Sequence, residues 1–93
     1  MLNSNSYFDE KVKSIGFQGD KHTASIGVIS AGEYRFDTSQ HETMKVISGA
    51  LTVQLADSAE WLNYSAGQSF EIAANTFFTV KSAANTAYLC TYL

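Results

Sequence analysis

The sequence predicts an all-β fold, an antiparallel sandwich or barrel, on the strength of two patterns. Short segments of alternating apolar and polar residues recur roughly every 8–12 residues, the spacing of consecutive strands in such folds. No segment carries apolar residues at i, i+3, i+4 and i+7 for about ten residues, the pattern of an amphipathic helix. A closed sheet would also remove the exposed strand edges that favour aggregation in a small all-β protein.

The first four predicted strands are separated by turns rich in glycine, serine and aspartate, because the chain has no proline. The first alternates weakly, and its pattern slips around Ser14 and Gly16, which indicates a bulge. The third alternates Tyr34 and Phe36 with charged residues. These strands are expected over residues 11–17, 23–29, 33–38 and 42–48.

Five further strands follow the same logic in the second half of the chain. The segment 50–56 alternates most regularly, with Leu51, Val53 and Leu55 on one face. A serine-glycine turn at 65–68 separates the next two strands. The five are expected over residues 50–56, 60–64, 69–73, 77–82 and 86–93.

Chain length and charge limit the classes of function. The 93 residues suffice for a single domain, which we expect to span residues 1–93. The net charge is −3, from six basic and nine acidic residues, and no basic run occurs. A nucleic-acid partner is therefore not expected, although a few local donors would still hold a small anion.

Cysteine content and hydropathy indicate the compartment. Cys90 is the only cysteine, so the chain has no intramolecular disulfide and fits a reducing, cytoplasmic setting. The first 14 residues contain no apolar run of signal-peptide length. No segment approaches the ~20 apolar residues that span a bilayer, so a membrane partner is not expected.

Few residues are available for metal or nucleophilic chemistry. His22 and His41 are the only histidines and lie on different segments, so we expect neither a metal nor another cofactor. Cys90 shares a predicted strand face with Tyr88 and Tyr92. A buried structural thiol is the expected interpretation there, since no cationic neighbour is evident in sequence.

Glu42 is the most informative residue, because it shares a strand face with Met44, Val46 and Ser48. A carboxylate on a buried face accepts several hydrogen bonds or has a raised pKa, and both recur at functional sites. The alternative is a glutamate at a strand end that reaches solvent or a backbone amide. Abundant aromatic residues on alternating strands would also suit a flat heterocycle such as a nucleobase.

Two segments resemble the motifs of the cupin superfamily. "ETMKVISG" (42–49) resembles the second half of the first motif, a glutamate followed by six residues and a glycine. "GQSFEIAANTFF" (67–78) resembles the second motif, with Ala73, Asn75 and Phe78 in place of its proline, glycine and histidine. The resemblance implies a single cupin-type antiparallel β-barrel, a jelly roll, that lacks the usual metal ligands.

Four further segments are similar to the small pyrimidine/purine nucleoside phosphorylase family: "FDEKVKSIGF" (8–17), "GEYRF" (32–36), "MKVISGAL" (44–51) and "YLCTYL" (88–93). The resemblance implies a pentosyltransferase of broad specificity that uses inorganic phosphate to convert nucleosides to free base and pentose 1-phosphate. A homodimer is also expected, because pairing would cover the edge and apolar surface of so small a barrel, and the cupin resemblance points the same way. Non-enzymatic ligand binding and metal-dependent cupin catalysis are the alternatives.

The implied reaction suggests roles for individual residues. Glu42 would stabilise the sugar cation or bind ribose hydroxyls, and Tyr34 and Tyr88 would donate to ribose or base. Phe78 would stack on the base, and Ser48 is a further expected substrate-binding residue. The candidates for phosphate are turn amides and the side chains of Arg35, His41, Lys45 and Lys81, although Arg35 and Lys45 fall on the strand faces opposite Tyr34 and Glu42.

Overall fold

Ten strands make up most of the computed structural model, which describes residues 2–93. They are β1 (Asn3–Tyr7), β2 (Val12–Gln18), β3 (Thr23–Ile29), β4 (Gly32–Asp37), β5 (Glu42–Ser48), β6 (Ala50–Leu55), β7 (Leu62–Ser65), β8 (Ser69–Ile72), β9 (Phe77–Ser82) and β10 (Thr86–Tyr92). No helix capable of crossing a membrane occurs within this range. All nine predicted strands are present, with ends shifted by no more than two residues, so the all-β prediction is confirmed.

Strand β1 was not predicted from the sequence. Its five residues, "NSNSY", are all exposed and show no alternation. Asparagine and serine are also uncommon or neutral in strands. The strand exists because its backbone pairs with β2, from Asn3 opposite Gly16 to Tyr7 opposite Val12. Pairing with a neighbour, and not side-chain pattern, therefore determines this edge of the sheet.

The bulge predicted near Ser14 and Gly16 is wrong. Strand β2 pairs with both β1 and β3 without a shift in register. The alternation slips because Ser14, a polar residue, occupies a buried inward position. The register shift lies instead between Ala87 and Tyr88, where β10 pairs with β5.

The strands form two antiparallel sheets. The larger has the order β1-β2-β3-β10-β5-β8 and the smaller the order β4-β9-β6-β7. One hydrophobic core joins the inner faces of both sheets and includes Val46, Phe70 and Cys90 from the larger and Leu51 and Phe78 from the smaller. Within residues 2–93 no strand pairing joins the two sheets. The predicted single closed barrel is therefore not confirmed, because the chain changes sheet at turns and the sheets meet through side chains.

Gly49 makes the turn from β5 to β6 that carries the chain between sheets. Its φ is +92°, and a Cβ there would lie 2.6 Å from Thr86 Oγ1 and 3.1 Å from the Asn85 carbonyl oxygen. Both the backbone conformation and the space therefore require glycine. This explains the spacing of the cupin-like segment, in which β5 begins with Glu42 and ends just before Gly49.

We expect Gly49→Ala to lower the stability by about 2–3 kcal/mol, through backbone strain and crowding together. For a domain of this size the melting temperature should fall by about 10–20 °C. Gly67→Ala is the matched control, because Gly67 has φ +91° but no atom within 4 Å of a Cβ. It should lose only the strain contribution. Equal melting temperatures for the two variants would contradict the crowding at Gly49.

Candidate active site

A cavity of about 250 Å³ lies between the sheets, beside the turn that joins β1 to β2. This volume is just below the ~300–1,000 Å³ of typical small-molecule pockets, so the cavity suits a small ligand. Both sheets and the turn contribute to its lining, which consists of Tyr7, Phe8, Ser14, Arg35, Phe36, Asp37, Glu42, Met44, Phe78, Tyr88, Cys90 and Tyr92.

Glu42 opens β5 and is half-buried at the cavity wall. Its Oε1 accepts a hydrogen bond from Cys90 Sγ at 3.4 Å. Burial raises the pKa of Glu42 above its ordinary value of 4.5, and the bond from Cys90 partly offsets that rise. Burial and the negative charge of Glu42 raise the pKa of Cys90 to about 12, so the thiol remains a donor at neutral pH.

Two tyrosines of β10 add hydroxyl groups to the same wall. The buried Tyr88 has a raised pKa, mainly through loss of solvent and secondarily through Tyr92. Burial also raises the pKa of Tyr92 to about 12, and its hydroxyl lies 3.0 Å from Ser25 Oγ. Gly27, on β3, makes room for Tyr88, because a Cβ there would collide with the tyrosine hydroxyl. Both tyrosines therefore stay protonated and can donate hydrogen bonds.

Aromatic rings form the opposite side of the cavity. Phe36 of β4 stacks on Phe78 of β9, with ring centroids 5.5 Å apart. Phe8 packs edge-on against Phe36 at 5.5 Å and tilts against Tyr34 at 5.0 Å. These rings present flat apolar surface opposite Glu42 and the tyrosine hydroxyls, an arrangement suited to a heterocyclic ligand.

The turn that carries Phe8 has an unusual backbone. Phe8, Asp9 and Glu10 have φ values of +52°, +55° and +65°, in the left-handed region that costs a non-glycine residue roughly 1–2 kcal/mol. Strained backbone of this kind clusters at ligand-binding segments. Contacts of Phe8 with Tyr34 and Phe36 hold the turn over the cavity.

The structure brings together three of the five predicted site residues. Glu42, Phe78 and Tyr88 line the cavity. Tyr34 is outside the lining, and its hydroxyl donates to the carbonyl oxygens of Ser30 at 3.1 Å and Ala31 at 3.2 Å. Ser48 is exposed at the far end of β5 and does not line the cavity.

Several lining residues were not predicted as site residues. Tyr92 and Cys90 were detectable, because they alternate with Tyr88 along one strand face. Ser14 interrupts the alternation of its strand, but this interruption indicated a bulge and not a polar residue in a cavity wall. Tyr7 and Phe8 gave no signal, because β1 and its turn carry no periodic pattern.

Most of the polar groups considered for metal or anion binding lie elsewhere. His41 Nε2 lies 2.8 Å from Glu71 Oε1, and His22 lies exposed in the β2–β3 turn. Lys81 Nζ lies 3.8 Å from the centre of the Trp61 ring, and Lys45 is exposed. Among residues 2–93, no three His, Cys, Asp or Glu side chains lie close enough to hold a metal ion.

Two facing antiparallel sheets around a small cavity define a cupin-like fold. A cupin-superfamily protein from Desulfitobacterium hafniense superposes with a TM-score of 0.73 over 96% of this chain and 83% of that one, at 11% identity, which identifies the fold alone. A protein of unknown function from Vibrio parahaemolyticus superposes with a TM-score of 0.96 over 100% and 99% of the two chains, at 43% identity.

The chain belongs to the pyrimidine/purine nucleoside phosphorylase family, whose sequence profile matches residues 2–92. The pyrimidine/purine nucleoside phosphorylase of Marinobacter nauticus is 56% identical over 92 residues, which cover 99% of each chain. The protein of the same name from Hahella chejuensis is 54% identical over the same coverage. The family resemblance predicted from the four sequence segments is therefore confirmed.

Proposed function

We propose that this protein is a nucleoside phosphorylase of broad specificity, a pentosyltransferase that accepts purine and pyrimidine nucleosides. A phosphate oxygen forms a bond to C1′ of the sugar as the C1′–N bond to the base breaks. The base leaves with the electron pair of that bond and takes up a proton, giving free base and pentose 1-phosphate. Full-length relatives that carry this name support the assignment.

The observation that carries the proposal is a half-buried carboxylate facing an aromatic cavity. Cleavage of a glycosidic bond passes through a transition state with oxocarbenium character, in which positive charge develops at C1′ and the ring oxygen. Glu42, held by Cys90 at 3.4 Å, supplies a negative charge where solvent is partly excluded. A fixed charge in such a site stabilises developing opposite charge more strongly than it would in water.

The remaining lining residues would bind the nucleoside. Phe36, stacked on the buried Phe78, forms a flat wall for the base, and Phe8 borders the same space. Aromatic walls tolerate many heterocycles, which fits acceptance of both purines and pyrimidines. Tyr88 and Tyr92 would donate hydrogen bonds to the sugar or base. Tyr34 would act indirectly, through its contact with Phe8.

The decisive assay measures phosphate-dependent release of free base from uridine and adenosine. The expected result is base and pentose 1-phosphate in equal amounts, with none formed when phosphate is omitted. Ligand-induced thermal stabilisation without turnover would refute the proposal and favour a non-enzymatic binding protein.

We also propose that the protein forms a homodimer in the cytoplasm, where its buried Cys90 stays reduced. The outer face of β2 and β3 exposes Ile15, Ile26 and Val28 to 47%, 50% and 49%, with Ile15 directly opposite Ile26. A second copy of the chain would cover this apolar patch. Sedimentation at micromolar concentration should give twice the monomer mass of 10.2 kDa. A species of monomer mass would contradict the proposal.

A further inference from the structure

Ser14 is a polar residue at a position of β2 that faces the core. The strand alternates buried and exposed residues from Val12 to Ile15, so an apolar side chain would be expected at position 14. Ser14 is only 6% exposed and lines the cavity, as does Tyr88, which is 5% exposed. A hydroxyl at such a buried position destabilises the fold unless it has hydrogen-bond partners. The groups that bind the Ser14 hydroxyl therefore decide its role.

Three neighbouring strands bring Ser14 and Tyr88 together. Gly27 of β3 pairs with Ser14 of β2 on one side and with Tyr88 of β10 on the other. The tyrosine ring lies across Gly27, where a Cβ would collide with its hydroxyl. The Ser14 hydroxyl lies beside that of Tyr88 and partly offsets the rise in its pKa. The cavity wall at Gly27 therefore carries a pair of adjacent hydroxyls.

The Ser14–Tyr88 pair has hydrogen-bonding capacity that the protein does not use. Each hydroxyl has one O–H donor and acceptor lone pairs, and a bond between the two uses only one donor. Within residues 2–93 neither hydroxyl has another hydrogen-bond partner. Because both residues line the cavity, the remaining donor and lone pairs are available to a ligand there.

The chemistry of the Ser14–Tyr88 pair favours a neutral hydroxyl over an anion. Burial keeps Tyr88 protonated at neutral pH, so both members of the pair are uncharged. The carboxylate of Glu42, in the same cavity, opposes the approach of a second negative charge. A sugar hydroxyl donates one hydrogen bond and accepts others, which matches a pair that offers both a donor and lone pairs.

The position of Glu42 indicates which sugar hydroxyl the pair would meet. Glu42 contacts Cys90 from β5, on one side of β10, with Oε1 3.4 Å from Sγ. The Tyr88 hydroxyl lies over Gly27 of β3, on the other side of β10. Cys90 and Tyr88 are successive inward residues, about 7 Å apart along the strand, and adjacent strands are about 5 Å apart. The pair is therefore distant from a C1′ atom placed beside Glu42, and the 5′-hydroxyl is the pentose hydroxyl farthest from C1′.

We propose, on the basis of the phosphorolysis proposed above, that Ser14 and Tyr88 bind the 5′-hydroxyl of the nucleoside and so select nucleosides over nucleoside 5′-phosphates. A 5′-phosphate would place about 1.5–2 negative charges against two neutral hydroxyls. Ser14 is thus a specificity-determining residue, and its interruption of the alternation in β2 has a functional cause.

Kinetics with uridine and 5′-deoxyuridine test the proposal. We expect Ser14→Ala to lower kcat/KM for uridine about fivefold, the effect of one lost neutral hydrogen bond. The same variant should change kcat/KM for 5′-deoxyuridine less than twofold, because that substrate lacks the hydroxyl. With 2′-deoxyuridine, which keeps the 5′-hydroxyl, the fivefold loss should persist. A loss that is equal for uridine and 5′-deoxyuridine would overturn the proposal.

Ser25→Ala is the matched control for Ser14→Ala. Ser25 is also a buried serine, 5% exposed on the adjacent strand β3, but its Oγ lies 3.0 Å from the Tyr92 hydroxyl. Whatever its effect on Tyr92, Ser25→Ala should change kcat/KM for uridine and 5′-deoxyuridine by the same factor. Tyr88→Phe, which keeps the ring over Gly27 and removes the hydroxyl, should instead reproduce the discrimination lost in Ser14→Ala. If Tyr88→Phe affected both substrates equally, the role of Tyr88 would be overturned.

The selection against 5′-phosphates is tested with uridine 5′-monophosphate. Wild-type protein should cleave it at least about tenfold less efficiently than uridine, by kcat/KM. Equal efficiencies would overturn this part of the proposal.

Binding without turnover separates this proposal from the proposed function. In the absence of phosphate, uridine should raise the melting temperature of the wild-type protein more than 5′-deoxyuridine does, and in Ser14→Ala the two should act equally. If wild-type protein cleaves no nucleoside yet shows this difference, the proposed function fails and the 5′-hydroxyl site stands. If the wild-type protein responds equally to the two nucleosides, the site fails whatever the activity.

Discussion

Replacement of Glu42 by glutamine should lower kcat for phosphorolysis at least about tenfold, a loss of ~1.4 kcal/mol or more of transition-state stabilisation. Glutamine keeps the size of the side chain and an oxygen that can accept from Cys90 Sγ. It removes the negative charge that opposes the positive charge on the sugar. The KM for uridine should change less than kcat, because the charge develops only in the transition state.

Glu71→Gln is the control for this experiment. Glu71 lies on β8, opposite Thr43 of β5, and is exposed outside the cavity. The Glu71→Gln variant therefore removes the same charge on the neighbouring strand, opposite the residue that follows Glu42. Its kcat should stay within twofold of the wild-type value. An unchanged rate in Glu42→Gln, or equal losses in both variants, would remove Glu42 from the mechanism.

The pH dependence follows from the raised pKa of Glu42. Activity should fall on acidification through a pKa above 4.5, because protonation removes the charge, and the residual activity of Glu42→Gln should not show this acidic fall.

The same raised pKa of Glu42 makes the free energy of unfolding change with pH in the opposite direction. The folded state binds the Glu42 proton more tightly than the unfolded chain, so stability is lost as pH rises through the folded pKa. Glu42→Gln should therefore melt higher than wild type at pH 7, and the difference should vanish below pH ~4.5.

The strands were predictable wherever one face is buried and the other exposed. Strand β6, in which Leu51 and Val53 are buried and Thr52 and Gln54 are not, illustrates this. Strand β1 was unpredictable for the complementary reason, since its five exposed residues bury nothing and owe their conformation to backbone pairing. The alternation of apolar and polar residues also could not predict whether the sheets close into a barrel, because it identifies the buried face of a strand but not the partner of an edge strand.

The cavity was predictable only in part. The position of Glu42 followed from the face that it shares with Met44 and Val46, and Tyr88 from its alternating strand. Arg35 and Asp37 border the cavity although they alternate with the inward-facing Phe36 along β4.

Phe78→Ala should cause the largest loss of stability, about 3–5 kcal/mol. The Phe78 side chain is 1% exposed, stacked on Phe36 at 5.5 Å and edge-on to Phe70 at 6.2 Å. Truncation would leave a void between the two sheets that neighbouring strands cannot fill. The melting temperature should fall by at least about 12 °C, which thermal unfolding by circular dichroism would measure.

Phe36 provides the contrasting variant, because its ring stacks on Phe78 and lines the same cavity but is only half-buried. Phe36→Ala should lose about 1–2 kcal/mol, less than Phe78→Ala, since less apolar surface leaves the core. It should raise the KM for uridine more than Phe78→Leu does, because leucine at position 78 retains most of the buried volume while Phe36 loses its ring. Phe78 would then stabilise the aromatic wall of the cavity, and Phe36 would contact the base. A larger stability loss in Phe36→Ala, or a greater uridine KM in Phe78→Leu, would reverse those roles.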